Sequence, residues 1–94
     1  MDEKAFVVFT ETEIDGQLHL VDIDSVNISF EGAKSAFEDE KEQSRVWAKD
    51  IDDNKDSWFE HETWENKSSL VFCIHTLDWA YWRKITLQKH NVWE

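Results

Sequence analysis

Apolar and polar residues alternate along the first third of the chain. The run A-F-V-V-F-T-E-T-E-I, then D-G, then Q-L-H-L-V-D-I-D reads as two strands joined by a hairpin turn. Asp15-Gly16 is the dipeptide that a two-residue type I′ turn requires, because both central residues take positive φ. Beyond the turn the apolar positions change parity, from Val21 and Ile23 to Val26, Ile28 and Phe30. A parity change moves side chains to the opposite face, so a bulge or a strand end is expected near Asp24-Ser25.

The period then lengthens. Ser29 is placed to cap a helix over roughly residues 30–48, with an apolar stripe of Ala33, Ala36, Phe37 and, more than two turns later, Trp47. Between them E-D-E-K-E-Q-S-R is nearly all polar. Such a helix lays one narrow face on a sheet and leaves a broad charged face in water. Glu38, Asp39 and Glu42 make that face negative, partly offset by Lys41 and Arg45.

Three more strands are expected after an acidic loop: residues 57–65, rich in aromatics; residues 69–77, apolar on both parities as in a central strand; and residues 81–92. In the last, Tyr81, Ile85 and Leu87 share one face, with Lys84, Thr86, Gln88 and His90 on the other. Turn chemistry at Glu65-Asn66-Lys67-Ser68 and Leu77-Asp78-Trp79-Ala80 supplies the connections. The order β-β-α-β-β-β with hairpin links predicts an α+β fold, a small antiparallel sheet with one helix packed on one face. The expected core is Phe6, Val8, Phe37, Trp47, Phe72 and Ile74. Trp58, Trp64, Trp79, Tyr81, Trp82 and Trp93 compete for the remaining space.

Composition narrows the class. Ninety-four residues, two glycines and no prolines predict a single domain over residues 1–94, without a linker. No apolar run approaches the roughly 20 residues of a membrane span, and the acidic N-terminus lacks a signal-peptide pattern. One cysteine, Cys73, gives no internal disulfide framework and makes a reducing cytoplasm the expected location.

Charge adds more. The net charge is −11, and residues 1–60 carry all of it, with seventeen Asp and Glu against six Lys and Arg. Direct nucleic-acid binding is disfavoured, since that affinity comes from cations that displace counterions. A basic protein partner is electrostatically preferred. The plain alternative is that acidity serves solubility alone.

Catalytic and metal motifs fail at identifiable points. From Asp50 a calcium-loop pattern begins well, with Asp50, Asp52, Asn54 and Asp56 at alternate positions, but Lys55 and His61 stand where glycine and glutamate are required. H-E-T-W-E at His61 puts Glu65 where a zinc-binding helix needs its second histidine. Cys73 and His75 share a strand face, yet neighbours two apart on a strand sit about 7 Å apart, too far for a nucleophile–base pair. No phosphate loop or serine elbow is present. The chain is therefore read as a non-enzyme without cofactor or metal.

Six tryptophans in so short a chain exceed what its core can hold, and exposed tryptophans anchor protein interfaces. The expected partner-binding residues are Glu38, Asp39, Glu42, Asp50, Asp52, Asp53, Asp56, Trp58, Glu60, Glu62 and Trp64. Carboxylates spaced along a helix imitate a row of phosphates, and apolar anchors beside them add tightness. The expected function is inhibition of a basic, nucleic-acid-acting protein such as a nuclease. In charge and size, though in no motif, the chain resembles phage-encoded inhibitors of restriction or CRISPR nucleases, which would place it in the host cytoplasm. Two alternatives use the same residues: an immunity protein neutralising a basic nuclease toxin, and a homodimeric structural or regulatory module joined through an aromatic sheet face.

Overall fold

In the computed structural model, which describes residues 3–66 and 68–92, the N-terminal hairpin pairs β1 (Glu3–Ile14) with β2 (Leu18–Asn27). Asp15 and Gly16 take φ of 54° and 67°, and Gln17 N donates to Ile14 O at 3.1 Å, the arrangement a type I′ turn demands. Gly16 N donates to Ala80 O at 3.0 Å, which ties this turn to the loop before the last strand. The bulge falls where the parity changes. Val8 lies opposite Ser25 and Phe9 opposite Ile23, leaving Asp24 as the extra residue.

A single helix, α1 (Phe30–Ile51), follows, three residues longer than the apolar stripe implied. Ser29 caps it by accepting from Gly32 N at 3.1 Å, and Glu31 and Lys49 complement the dipole at the two ends. A 3₁₀ turn at Lys55–Ser57 then leads into β3 (Trp58–Glu65), β4 (Ser69–Thr76) and β5 (Tyr81–Val92). The chain is thus α+β, with an antiparallel five-stranded sheet in the order β2-β1-β5-β4-β3. The first and last strands are neighbours inside the sheet. The helix must carry the chain from one edge strand to the other, a width of about 19 Å at roughly 4.8 Å per strand. Its 22 residues span about 33 Å, enough to cross obliquely.

Burial follows alternation on β1, whereas the interior strand β4 is buried on both faces and the edge strand β3 is mostly exposed. Val8 and Thr10 on β1, Ile85 and Leu87 on β5, and Leu70, Phe72 and Ile74 on β4 are buried on the face that packs against Ala33, Phe37, Ser44 and Ala48 of α1. Of the expected core, Val8, Phe37, Phe72 and Ile74 are buried, whereas Phe6 and Trp47 are half-buried at its margin. Ser44 had no place in the apolar stripe, yet it is fully buried, with its hydroxyl donating to Glu40 O at 2.8 Å. That internal bond satisfies the hydroxyl, and the small side chain lets the helix approach the sheet closely. Among the described residues no helix is long and apolar enough to cross a membrane.

Candidate functional site

The carboxylates named from the sequence divide into two groups with different surroundings. Glu60 and Glu62 project from β3 on the helix-covered face, where apolar residues would be ordinary, and they reach basic residues of α1. Arg45 Nη2 lies 2.9 Å from Glu60 Oε1 and its Nη1 pairs with Glu42; Lys41 Nζ lies 2.5 Å from Glu62 Oε1 and 3.1 Å from Glu38 Oε2. The Lys41 ammonium and Arg45 guanidinium sit over the Phe72 ring, at 5.4 and 5.5 Å from its centroid. The hydrogen bond to Glu60, ahead of the other contacts, raises the Arg45 pKa. Burial pushes Lys41 down, but its bonds to Glu62 and Glu38 outweigh this and raise it. Glu38, bonded first by Lys34 at 2.6 Å and then by Lys41, is held below the ordinary carboxylate range. Four of the eleven named residues, Glu38, Glu42, Glu60 and Glu62, are thus paired within the chain with Lys34, Lys41 and Arg45, and Glu60 and Glu62 clasp the helix to the edge strand.

Asp39, Asp50, Asp53 and Asp56 are different. They are exposed on the outer side of α1 and on the loop that follows, with no cationic partner among the described residues. Asp52 organises that loop. Its carboxylate accepts from Asn54 N at 3.0 Å and Ser57 Oγ at 2.8 Å, and these bonds hold its pKa below the usual range. Asn54 repeats the device by accepting from Asp56 N at 3.0 Å. The oxygen-rich stretch is therefore a run of side-chain-closed turns that presents its remaining carboxylates outward.

The two named tryptophans also differ. Trp58 is half-buried: its ring packs on Trp47 with centroids 5.7 Å apart, and its Nε1 donates to Asp52 O at 2.9 Å. Removing it therefore takes away core packing as well as any partner contact. Trp64 is exposed and stacks on Phe30 at 6.3 Å, near the start of the helix. Beneath the loop, Trp58, Asp52, Asp53 and Glu60 with Arg45 and Lys49 line an open groove of about 370 Å³. Carboxylates and an aromatic ring do meet at this junction. Trp93 lies outside the described residues.

A second surface was not among the residues named from the sequence. On the sheet face away from α1, His61 Nε2 and His75 Nε2 are 2.9 Å apart, with ring planes inclined by 7° and centroids 5.0 Å apart. Nearly parallel rings at these separations meet tip to tip through a nitrogen–nitrogen hydrogen bond. His75 Nδ1 is 2.7 Å from Thr76 O, so it donates there and leaves Nε2 to accept a proton carried by His61. Trp79 lies flat on His75, with centroids 3.5 Å apart, and takes a positive φ of 59° to do so. Cys73, opposite His61, borders the same groove of about 360 Å³. Burial pushes its thiol pKa up, with Lys84 countering, which disfavours the nucleophilic thiolate. The only sequence signal for this cluster was that His61, Cys73 and His75 sit at strand positions of one parity.

Among the described residues no group of three or more His, Cys, Asp or Glu is placed to hold a metal ion. The chemistry on offer is recognition by charge at the helix and loop, and by apolar and aromatic contact at the open sheet face. Comparison with protein-family models, curated proteins and solved structures finds no match to this chain.

Proposed function

We propose that the chain is a small acidic binding protein that inhibits a basic, nucleic-acid-acting protein by occupying its cationic surface. The observation that carries this reading is the set of outward, unpaired carboxylates: Asp39 and Asp50 on α1 continue into Asp53 and Asp56 on a loop braced by Asp52 and Asn54. A rigid carboxylate array is pre-organised, so fewer side chains must be ordered on binding. Its negative field steers a basic partner and competes with phosphates for the same cations. The edge of Trp58 in the groove beneath the loop supplies apolar contact beside it, and exposed Trp64 stands at the far end of β3, near the start of the helix. The same chemistry serves a phage-encoded inhibitor or a neutraliser of a nuclease toxin.

The test uses a basic nuclease captured by the tagged chain. Binding should weaken steeply as salt rises, duplex DNA should compete, and nuclease activity should fall as the complex forms. Reversing Asp50, Asp53 and Asp56 together to lysine should slow association about tenfold or more at low salt, without changing the fold. An affinity indifferent to both salt and these reversals would refute the proposal.

A further inference from the structure

Strand alternation gives the sheet a second face, and no described element covers it. Val7 and Phe9 on β1 alternate with the buried Val8 and Thr10, and their cross-strand partners on β2 are Val26 and Ile23. The bulge at Asp24 is what places Val21, Ile23 and Val26 on one side despite their change of parity. These three are 58%, 71% and 65% exposed. At the other edge of the same face stand Phe59 on β3 and Trp79, which lies on His75. Between these edges the face carries Trp82, Lys84, Thr86 and Gln88 of β5 and the buried Val71 of β4, so two exposed apolar patches flank a mixed centre.

We propose that a second copy of this chain covers this face, the two sheets packing face to face with both helices outward. Exposed apolar residues select the occupant, because the strongest charge of the chain lies elsewhere. The described strand positions of this face hold four carboxylates, Glu3, Glu11, Glu13 and Glu65, against one lysine, Lys84. Glu13 accepts from Trp82 Nε1 at 3.0 Å, and Glu11 lies 3.7 Å from His19 Nε2. A basic partner gains more at the helix, where the aspartates stand unpaired. A second copy supplies apolar residues to match Val21, Ile23, Val26, Phe59 and Trp79. Face-to-face packing also puts the acidic helices on opposite outer surfaces, roughly 30 Å apart, well beyond a Debye length of about 8 Å. Their mutual repulsion is then screened.

The area suffices. Five strands of 8–12 residues present roughly 600–900 Å² per copy, so a dimer would bury about 1,200–1,800 Å², the size of an ordinary stable interface. The core of this interface would consist of Val7, Phe9, Ile23 and Val26, with Phe59 and Trp79 as aromatic anchors.

Sedimentation equilibrium of the full chain, from low micromolar to millimolar concentration, tests this. The wild type should show twice the single-chain mass. Ile23→Glu and Trp79→Glu change exposed side chains, so each should keep the circular dichroism of the wild type while raising the dimer dissociation constant about a hundredfold. Glu42→Lys, on the helix, should remain dimeric. A wild type of single-chain mass throughout the range would overturn the proposal, as would a dimer unaffected by both sheet-face substitutions. The acidic face is a separate surface, so either proposal can fail without the other.

Discussion

At the residue scale, two carboxylates that bear on stability lie at the bulge and beside it on α1. Asp24, the bulged residue, accepts from the buried Thr10 hydroxyl, and Glu40 on α1 lies near enough to feel its charge. Burial pushes the Asp24 pKa up, with the Thr10 bond and Arg83 opposing. Burial also raises Glu40, and the Asp24 charge adds to it. A carboxyl raised on folding holds its proton more tightly in the native chain than in the unfolded one. Its ionisation therefore costs native stability, and the loss develops as pH climbs from the ordinary carboxylate range through the folded value. Asp24→Asn with Glu40→Gln should accordingly stabilise the chain at neutral pH, and the advantage should vanish at about pH 3, below the ordinary carboxylate range, where folded and unfolded chains alike hold these protons. Urea denaturation at the two pH values measures this. A double variant less stable than wild type at neutral pH would mean that the ionised Thr10–Asp24 contact outweighs the burial cost.

At the element scale, α1 is held to the sheet in two ways. Over β1, β4 and β5 it is apolar packing; over β3 it is the Lys41–Glu62 and Arg45–Glu60 pairs above Phe72. Both pairs are partly solvated, so each should contribute about 1 kcal/mol or less and fade with salt. Glu60→Gln with Glu62→Gln should lower unfolding free energy by that order at low salt, and by less at high salt. An equal loss at both ionic strengths would mean that the carboxylates act through packing. What was legible in the sequence was local. The Asp15-Gly16 turn, the Ser29 cap, the bulge near Asp24 and the strand limits each depend on a few adjacent residues. Non-local pairing was not legible: Glu60 and Glu62 read as free binding carboxylates because Lys41 and Arg45 lie far from them in sequence. Ser44 was likewise hidden in a polar run, since only packing reveals that a small polar residue is enclosed.

At the scale of the whole molecule, the fold separates two kinds of surface. One helix covers one sheet face, and its outer side with the following loop carries unpaired aspartates. The opposite sheet face exposes Val21, Ile23, Val26, Phe59 and Trp79 at its edges around a mixed centre. The charge asymmetry along the chain foretold the first surface, and the tryptophan content foretold exposed aromatics. Their separation onto opposite sides depends on strand order, which brings β1 and β5 together in the sheet and sends α1 from edge to edge. A basic partner, on the function proposed, uses the acidic side. Carbodiimide labelling of carboxylates, read residue by residue by mass spectrometry with and without the captured nuclease, tests this most directly. Asp39, Asp50, Asp53 and Asp56 should be protected on complex formation, with Glu11 and Glu65 on the sheet face labelled as before. Protection confined to the sheet-face carboxylates, with the four aspartates fully labelled in the complex, would contradict it.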